Sequence, residues 1–127
     1  MKKKFLIVVA NYYKDISKGL LSSSKKLIPK GSRLKIIEVP GVFEIPMTIK
    51  KNIKRYDAFI ALGCVIKGQT PHFDFISQAS INAIMNLSID NKKPIGNGII
   101  TCLSLKQAKV RKKKGAEATK AVLSILS

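Results

Sequence analysis

The sequence predicts an α/β fold in which helices cover both faces of a parallel sheet. Four short apolar segments rich in β-branched residues recur along the 127 residues, and such runs are typical of strands buried on both faces. Between these segments, apolar residues recur every three or four positions, as on one face of a helix. This alternation favours right-handed crossovers and therefore a parallel sheet.

The chain begins with a predicted strand, a helix and a second strand. Phe5–Val9 is a continuous apolar run, which predicts the first strand. We expect Asp15 to cap a helix that begins at Ile16, and Pro29-Lys-Gly-Ser to stop it. Leu34–Val39 is the second predicted strand.

The middle of the chain repeats this order. A helix is predicted from Phe43 onward, with Pro46 tolerated in its first turn. Ala58–Val65 is predicted as the third strand, because it is another continuous apolar run. A long helical pattern then begins at about His72.

The last part supplies one more strand and two helices. Ile95–Thr101 is the fourth predicted strand, and Ser104-Leu-Lys-Gln107 is a capping box that opens a helix. Gly115 breaks the pattern briefly, and a final helix is predicted over Ala116–Leu126. The order predicts a three-layer α/β/α sandwich of flavodoxin-like type, with a four-stranded parallel sheet and helices on both faces. Such sheets bind ligands beyond the carboxyl ends of their strands.

Length and composition exclude several classes of protein. The length fits one domain, residues 1–127, with its own core. No apolar stretch reaches the roughly 18 residues of a membrane span. The apolar run after Met1-Lys-Lys-Lys is shorter than the about 7–15 residues of a signal peptide, which favours a cytoplasmic protein. Cys64 and Cys102 form no C-x-x-C pair, so we expect buried thiols and no metal site.

The chain is strongly basic, with 24 Lys and Arg against 7 Asp and Glu and a net charge of +17. Such a balance favours contact with nucleic acid or another anionic surface. The opposing interpretation is that lysines only coat solvated helix faces. No aromatic RNA-binding motif, zinc finger or long basic tail is present. We therefore expect nucleic acid to bind only non-specifically, through charge.

The most informative segment follows the third predicted strand. In Ala61-Leu-Gly-Cys-Val-Ile-Lys-Gly-Gln-Thr-Pro-His-Phe-Asp74, an apolar run ends in a short polar loop, and the chain's single histidine, His72, closes that loop. A loop between a strand end and a helix start collects free N–H groups and a positive helix end, which suits a phosphate. A histidine there can move protons near neutral pH. The segment predicts chemistry on a small phosphorylated molecule.

Four blocks in order resemble the lumazine synthase family. They are Ile7-Val-Val-Ala-Asn-Tyr-Tyr-Lys-Asp-Ile16, Val39-Pro-Gly-Val-Phe-Glu-Ile-Pro46, Ala61–Asp74, and Lys114-Gly-Ala-Glu117 preceded by Arg111. The resemblance implies a riboflavin-pathway transferase without metal or redox cofactor. It would condense 5-amino-6-(D-ribitylamino)uracil with 3,4-dihydroxy-2-butanone 4-phosphate, giving 6,7-dimethyl-8-ribityllumazine, phosphate and water.

The resemblance also implies roles for residues of the phosphate and proton-transfer machinery. His72 matches the proton-transfer histidine, and Lys114 matches a lysine near the reaction centre. Gln69 and Thr70 match the phosphate loop, while Arg111 matches a phosphate-binding arginine that reaches in from a neighbouring subunit. Apart from the resemblance, His72 could simply satisfy backbone groups at a helix start. Arg111 could be one more surface cation, and Lys114 with Glu117 an ordinary surface pair.

The remaining candidates concern the ring and the ribityl chain. The resemblance implies that an aromatic side chain stacks on the pyrimidine, that one loop holds the ribityl chain, and that a strand end offers backbone groups to the ring. Tyr12 matches the stacking aromatic. Val42, Phe43 and Glu44 match the loop that holds the ribityl chain, and Val65 and Ile66 match the strand end. Glu44 also fits a carboxylate favoured at a helix start. Asn97 stands where the family commonly has an aromatic, so one wall of the slot is expected to be polar or thinner.

The resemblance implies a homopentamer with active sites between subunits, and it leaves a shell of about 60 subunits open. The competing interpretation is a catalytically decayed relative that acts as a basic, nucleic-acid-associated or shell-forming protein.

Overall fold

The computed structural model describes residues 2–68 and 72–126. Its sheet has four parallel strands in the order β2-β1-β3-β4, namely β1 (Lys4–Ala10), β2 (Arg33–Val39), β3 (Ala58–Ile66) and β4 (Ile95–Cys102). The helices are α1 (Lys14–Lys25), α2 (Ile45–Lys51), α3 (His72–Asn91), α4 (Leu105–Lys109) and α5 (Lys114–Leu126), with a 3₁₀ turn at Val42–Glu44. The predicted α/β/α architecture is confirmed.

The central strand β1 explains why the first apolar run is continuous. Its side chains alternate between two cores, so that Phe5, Ile7 and Val9 face α1 and α5 while Leu6 and Val8 face α2 and α3. All five are essentially fully buried. A strand covered on both faces needs no polar positions, which is why alternation is absent from its sequence.

Two glycines allow α5 to lie close to its neighbours. A Cβ on Gly115 would lie 2.1 Å from the carbonyl oxygen of Leu20 in α1. A Cβ on Gly96 of β4 would lie 2.4 Å from the carbonyl oxygen of Ala118 in α5. Since Lys114 begins α5, this close packing fixes the position of the predicted catalytic lysine.

Hydroxyl groups join α1 to the start of α5. The Ser23 hydroxyl donates to the Lys112 carbonyl oxygen at 2.6 Å and accepts from the Ala116 N–H at 3.1 Å. The buried Ser24 and Thr119 hydroxyls lie 2.7 Å apart. Buried polar groups that are paired in this way fix one arrangement of the two helices.

Three helix starts differ from the sequence-based expectations. Helix α1 begins at Lys14, and no side chain caps it, so Asp15 lies inside the first turn rather than at the cap. The segment predicted as a helix from Phe43 is first a 3₁₀ turn, and α2 begins at Ile45. The final helix is predicted from Ala116, but α5 begins at Lys114 and includes Gly115. The lack of a Cβ at Gly115 lets the helix lie close to α1.

The predicted capping box at the start of α4 is confirmed with a shift of one residue. The Ser104 hydroxyl accepts from the Gln107 N–H at 3.3 Å. The Gln107 side chain accepts from the Leu103 N–H at 2.8 Å, one residue before the cap. Within the part of the chain that the structure describes, no helix has the length and apolar character needed to cross a membrane.

Candidate active site

The carboxyl ends of β1, β2 and β3 meet at one edge of the sheet and carry the first group of candidate residues. Tyr12 follows β1, the Val42–Glu44 turn follows β2, and Val65 and Ile66 end β3. The β1 register with β3 ends where Val9 pairs with Leu62. Among the described residues, the last part of β3 therefore has no strand partner on the β1 side. Its backbone forms an open ledge beside Tyr12.

Two exposed aromatic side chains, Tyr12 and Phe43, follow the strands at this edge. Tyr12 is 75% exposed and lies edge-on to Tyr13, with ring centroids 4.9 Å apart. Phe43 is 61% exposed. Burial raises the pKa of the Tyr13 phenol, with smaller contributions from Cys64 and Tyr12. Exposed aromatic faces at a ligand edge suit a flat heterocycle.

The three residues of the turn after β2 point in different directions. Val42 is buried, and its Cγ2 would lie 2.7 Å from a Cβ on Gly63, so its side chain belongs to the core and only its backbone can meet a ligand. Glu44 is exposed, and its Oε1 would lie 3.1 Å from a Cβ on Gly41. The carboxylate thus folds back over Gly41, the residue before the 3₁₀ turn, and Glu44 itself directly precedes α2, where the helix dipole favours a negative charge.

The described residues include the beginning of the loop after β3 and the first residue of α3. The Lys67 N–H donates to the Cys102 carbonyl oxygen at 2.9 Å, which is where the loop leaves the sheet. Gln69 and Thr70, the predicted phosphate-loop residues, lie outside the described residues. His72 is the first residue of α3, and its side chain is exposed.

The second group of candidates lines a separate groove on the outer flank of β4, the edge strand of the sheet. The groove has a volume of about 520 Å³ and lies between α3 and α5. Asn97, Arg111, Lys114 and Glu117 all line it, together with Thr101. The structure therefore brings these four predicted residues together, which their spacing in the sequence alone does not show.

The Arg111 guanidinium is anchored at the carboxyl end of β4. Its Nη1 donates to the Thr101 carbonyl oxygen at 3.2 Å and lies 3.8 Å from the Cys102 Sγ. The residue is otherwise exposed, so its other N–H donors face the groove and solvent. A guanidinium held on one side offers a fork of donors that matches a phosphate. Thr101 was missed from the sequence, because its contribution comes from the backbone.

Asn97 forms the polar wall of the groove. It is exposed, and its Oδ1 accepts from the Ile99 N–H of the same strand at 3.0 Å. This hydrogen bond orients the amide, so that its NH₂ group is a donor for the groove. Asn97 lies four residues before Thr101, which places it about 13 Å from the Arg111 anchor along the strand.

The two groups do not form one pocket within a single chain. Tyr12 follows β1, and β3 separates β1 from β4, so two strand spacings of about 5 Å each lie between them. Asn97 and Arg111 lie on the far side of β4, with no further strand beyond it in the described chain. One molecule therefore carries an aromatic ledge on one side and a cationic groove on the other.

The two cysteines lie beneath the sheet edge in the α1–α5 core. Burial raises the pKa of the Cys64 thiol to about 12, and the neighbouring Cys102 adds to the shift. A thiol in this state is a poor nucleophile at neutral pH. Within residues 2–68 and 72–126, no cluster of three or more His, Cys, Asp or Glu residues could hold a metal ion.

Comparison with known proteins gives one consistent family. Residues 2–127 match the family model described as 6,7-dimethyl-8-ribityllumazine synthase. The chain is 39% identical to 6,7-dimethyl-8-ribityllumazine synthase of Methylorubrum populi, over 98% of this chain and 81% of the relative. It is 41% identical to 6,7-dimethyl-8-ribityllumazine synthase 1 of Rhodopseudomonas palustris, over 97% and 83%. For the Zymomonas mobilis protein of the same name, identity is 39% over 98% and 94%.

Proposed function

The chain belongs to the 6,7-dimethyl-8-ribityllumazine synthase family, and we propose that it catalyses that reaction in riboflavin biosynthesis. The substrates are 5-amino-6-(D-ribitylamino)uracil and 3,4-dihydroxy-2-butanone 4-phosphate. The products are 6,7-dimethyl-8-ribityllumazine, phosphate and water. The observation that carries the proposal is the family match over residues 2–127, which spans both the aromatic ledge and the cationic groove.

The reaction needs two reactants held together, a proton carrier and a site for the leaving phosphate. The substrate amine attacks the ketone and water leaves, giving an imine. Phosphate is then eliminated, and ring closure releases a second water. Holding both reactants in one slot supplies much of the rate gain. We assign proton transfer to His72, because an imidazole has one nitrogen that can accept a proton and another that can donate one.

The phosphate is assigned to Arg111, with Gln69 and Thr70 of the loop before α3. The groove around Arg111 also contains Lys113 and Lys114 against one carboxylate, Glu117, so its local charge favours an anion. Lys114 is half-buried and lines the same groove as Arg111, and we assign it to the reaction centre. A guanidinium and an ammonium beside the leaving group stabilise the negative charge that develops there.

The pyrimidine and the ribityl chain are assigned to the ledge at the sheet edge. Tyr12 stacks on the ring, and the open backbone of Val65 and Ile66 bonds its polar edge. The ribityl hydroxyls meet the backbone of Val42 and Phe43 and the carboxylate of Glu44. This arrangement requires no metal or redox cofactor.

We further propose that the active site closes between neighbouring subunits of a homopentamer. The support is the separation described above, since Asn97 and Arg111 face away from Tyr12 within one chain. A head-to-tail ring would bring the β4 flank of one subunit to the ledge of the next. The chain would act as one domain, residues 1–127, in the cytoplasm. A larger shell remains an alternative assembly.

The test is turnover with the two substrates, followed by absorbance and fluorescence of the lumazine. We expect product from the purified chain, and a fall of about 100-fold or more for His72→Ala with the fold unchanged by circular dichroism. A folded, assembled chain without product would favour the decayed, nucleic-acid-associated or shell-forming relative, which the family match does not favour. Unchanged turnover in His72→Ala would remove the proton-transfer role.

A further inference from the structure

The amino edge of the sheet, opposite the candidate active site, carries two cationic grooves. Because the strands are parallel, all four begin at this edge. One groove, of about 570 Å³, lies beside the start of β1 and the turn before β2. Lys2, Lys3 and Lys30 supply its charged groups, and no carboxylate belongs to the lining that the structure describes.

The second groove lies on the α2 side of the same strands and has a volume of about 440 Å³. Five cations line it, again without a carboxylate among the described residues, namely Lys4, Arg33, Lys35, Lys54 and Arg55. These side chains are all exposed. Eight of the chain's 24 Lys and Arg residues thus lie in two adjoining grooves, which we call the amino-edge surface.

One carboxylate and one further cation near this surface serve the fold, and the surface stays strongly positive. Asp57 accepts a hydrogen bond from the Lys4 backbone N–H at 2.8 Å, so its carboxylate helps to align β1 with β3 and sets one negative charge beside the eight cations. The Lys93 ammonium is occupied differently, since it donates to the carbonyl oxygens of Ile53 and Tyr56 at 2.6 and 2.9 Å. The cations of the amino-edge surface are additional to these structural contacts.

The spacing of these cations fits a polymer of phosphates better than a single small anion. Lys4 and Arg33 pair directly across neighbouring strands, about 5 Å apart. A nucleic-acid strand carries one charge per about 3.4 Å, so one strand crossing the grooves would meet several cations. The apolar side chains of the second groove, Leu34 and Tyr56, are half-buried, so they offer little to a bilayer or to base stacking.

We propose that the amino-edge surface binds the phosphate backbone of nucleic acid without reading its sequence, in addition to the enzyme's own activity. The two sites act independently because of distance. Lys4 and Ala10 stand at opposite ends of β1, about 20 Å apart, whereas the Debye length at physiological salt is about 8 Å. Charges at the amino edge therefore have little influence on the phosphate bound at the carboxyl edge.

The test compares two variants that each lose four positive charges. The first removes them from the amino-edge surface, by Lys30→Gln, Arg33→Gln, Lys54→Gln and Arg55→Gln. The matched control removes them from other exposed helix positions, by Lys18→Gln, Lys106→Gln, Lys109→Gln and Lys120→Gln. Binding of fluorescent single-stranded oligouridine, and of an RNA duplex, is measured by anisotropy over a range of salt concentrations.

We expect the amino-edge variant to bind oligouridine on the order of 100-fold more weakly at physiological salt, with the slope of log affinity against log salt reduced by about 3. Its turnover should equal that of the unmodified chain, which shows that it is folded. The control should keep most of its affinity. The duplex measurement reports which form of nucleic acid fits the grooves better.

Three results would overturn the proposal. Equal losses in both variants would mean that net charge alone attracts RNA, without a particular face. Absence of binding by the unmodified chain at physiological salt would leave the grooves without this role. Binding to vesicles of equal parts phosphatidylserine and phosphatidylcholine, but not to RNA, would assign the surface to a membrane instead.

Discussion

The proposed closure of the active site between subunits can be tested by mixing two inactive variants. His72→Ala removes the proposed proton carrier from one side of the site, and Arg111→Ala removes the proposed phosphate-binding guanidinium from the other. Arg111 is anchored on Thr101 at the outer flank of β4, away from the β1–β3 ledge. If the ring is head-to-tail, each site takes His72 from one subunit and Arg111 from the next.

The geometry sets the size of the effect. In rings assembled at random from equal amounts of the two variants, a site is intact when the first subunit carries Arg111→Ala and the second carries His72→Ala. This combination occurs at about a quarter of the interfaces. Each variant alone should be at least about 100-fold below the unmodified chain. The mixture, unfolded and refolded together, should therefore recover about a quarter of normal turnover.

The assay is lumazine formation. The control is a mixture of two variants that cannot restore an intact active site at any interface. His72→Ala is refolded together with the double variant His72→Ala, Arg111→Ala, so that no interface has a histidine. This mixture should remain as inactive as its components. If the first mixture also stays inactive although mixed rings are present by native mass spectrometry, both residues serve a site within one chain. The inference from the sheet order would then be wrong.

Four further results are expected. In Gly115→Ala the new Cβ would lie 2.1 Å from the Leu20 carbonyl oxygen. The free energy of unfolding, measured by urea titration, should therefore fall by about 1–3 kcal/mol. An unchanged urea midpoint would contradict the close packing. Arg111→Lys keeps the charge but loses the fork of donors, so KM for the phosphorylated substrate should rise while circular dichroism stays unchanged. The Cys64 thiol ionises at about 12 in the fold but near 9.0 when unfolded. The folded state therefore holds more protons between these values, and stability should fall with rising pH there, less so in Cys64→Ala. Asn97→Phe should tighten binding of the lumazine product measured by fluorescence, since an aromatic wall adds stacking area, and weaker binding would mean that the hydrogen bond lost with the amide outweighs the stacking gained.

The strands and their order along the chain could be predicted from the sequence, because burial on two faces leaves a simple pattern of continuous apolar runs. Phe5–Val9 and Ala58–Val65 are continuous apolar runs, and both lie within strands that are one or two residues longer. Helix starts were harder to predict. Asp15 has the chemistry of a cap, but α1 begins at Lys14, two residues before the predicted start, so Asp15 lies in the first turn. Capping depends on backbone angles that composition does not show.

The site could be predicted only as a set of residues, because their directions and groupings arise from packing. Val42 belongs to a motif matched as a whole, yet its side chain fills the space above Gly63 and leaves only its backbone for a ligand. The contact between Arg111 and the Thr101 carbonyl oxygen is equally invisible in the sequence. Backbone groups carry no residue-type signal, so their partners emerge only from the fold.

Asn97 shows how the fold changes the meaning of a departure from a family pattern. An asparagine in place of an aromatic suggests a missing wall in the ring slot. In the structure, however, the Ile99 N–H donates to the Oδ1 of Asn97. This bond fixes the orientation of the side chain, so that its NH₂ group serves as a hydrogen-bond donor. A fixed NH₂ group can bond a carbonyl oxygen of a pyrimidinedione, which a phenyl ring cannot do. In the proposed site the exchange would thus trade stacking area for one oriented hydrogen bond, worth about 0.5–1.5 kcal/mol.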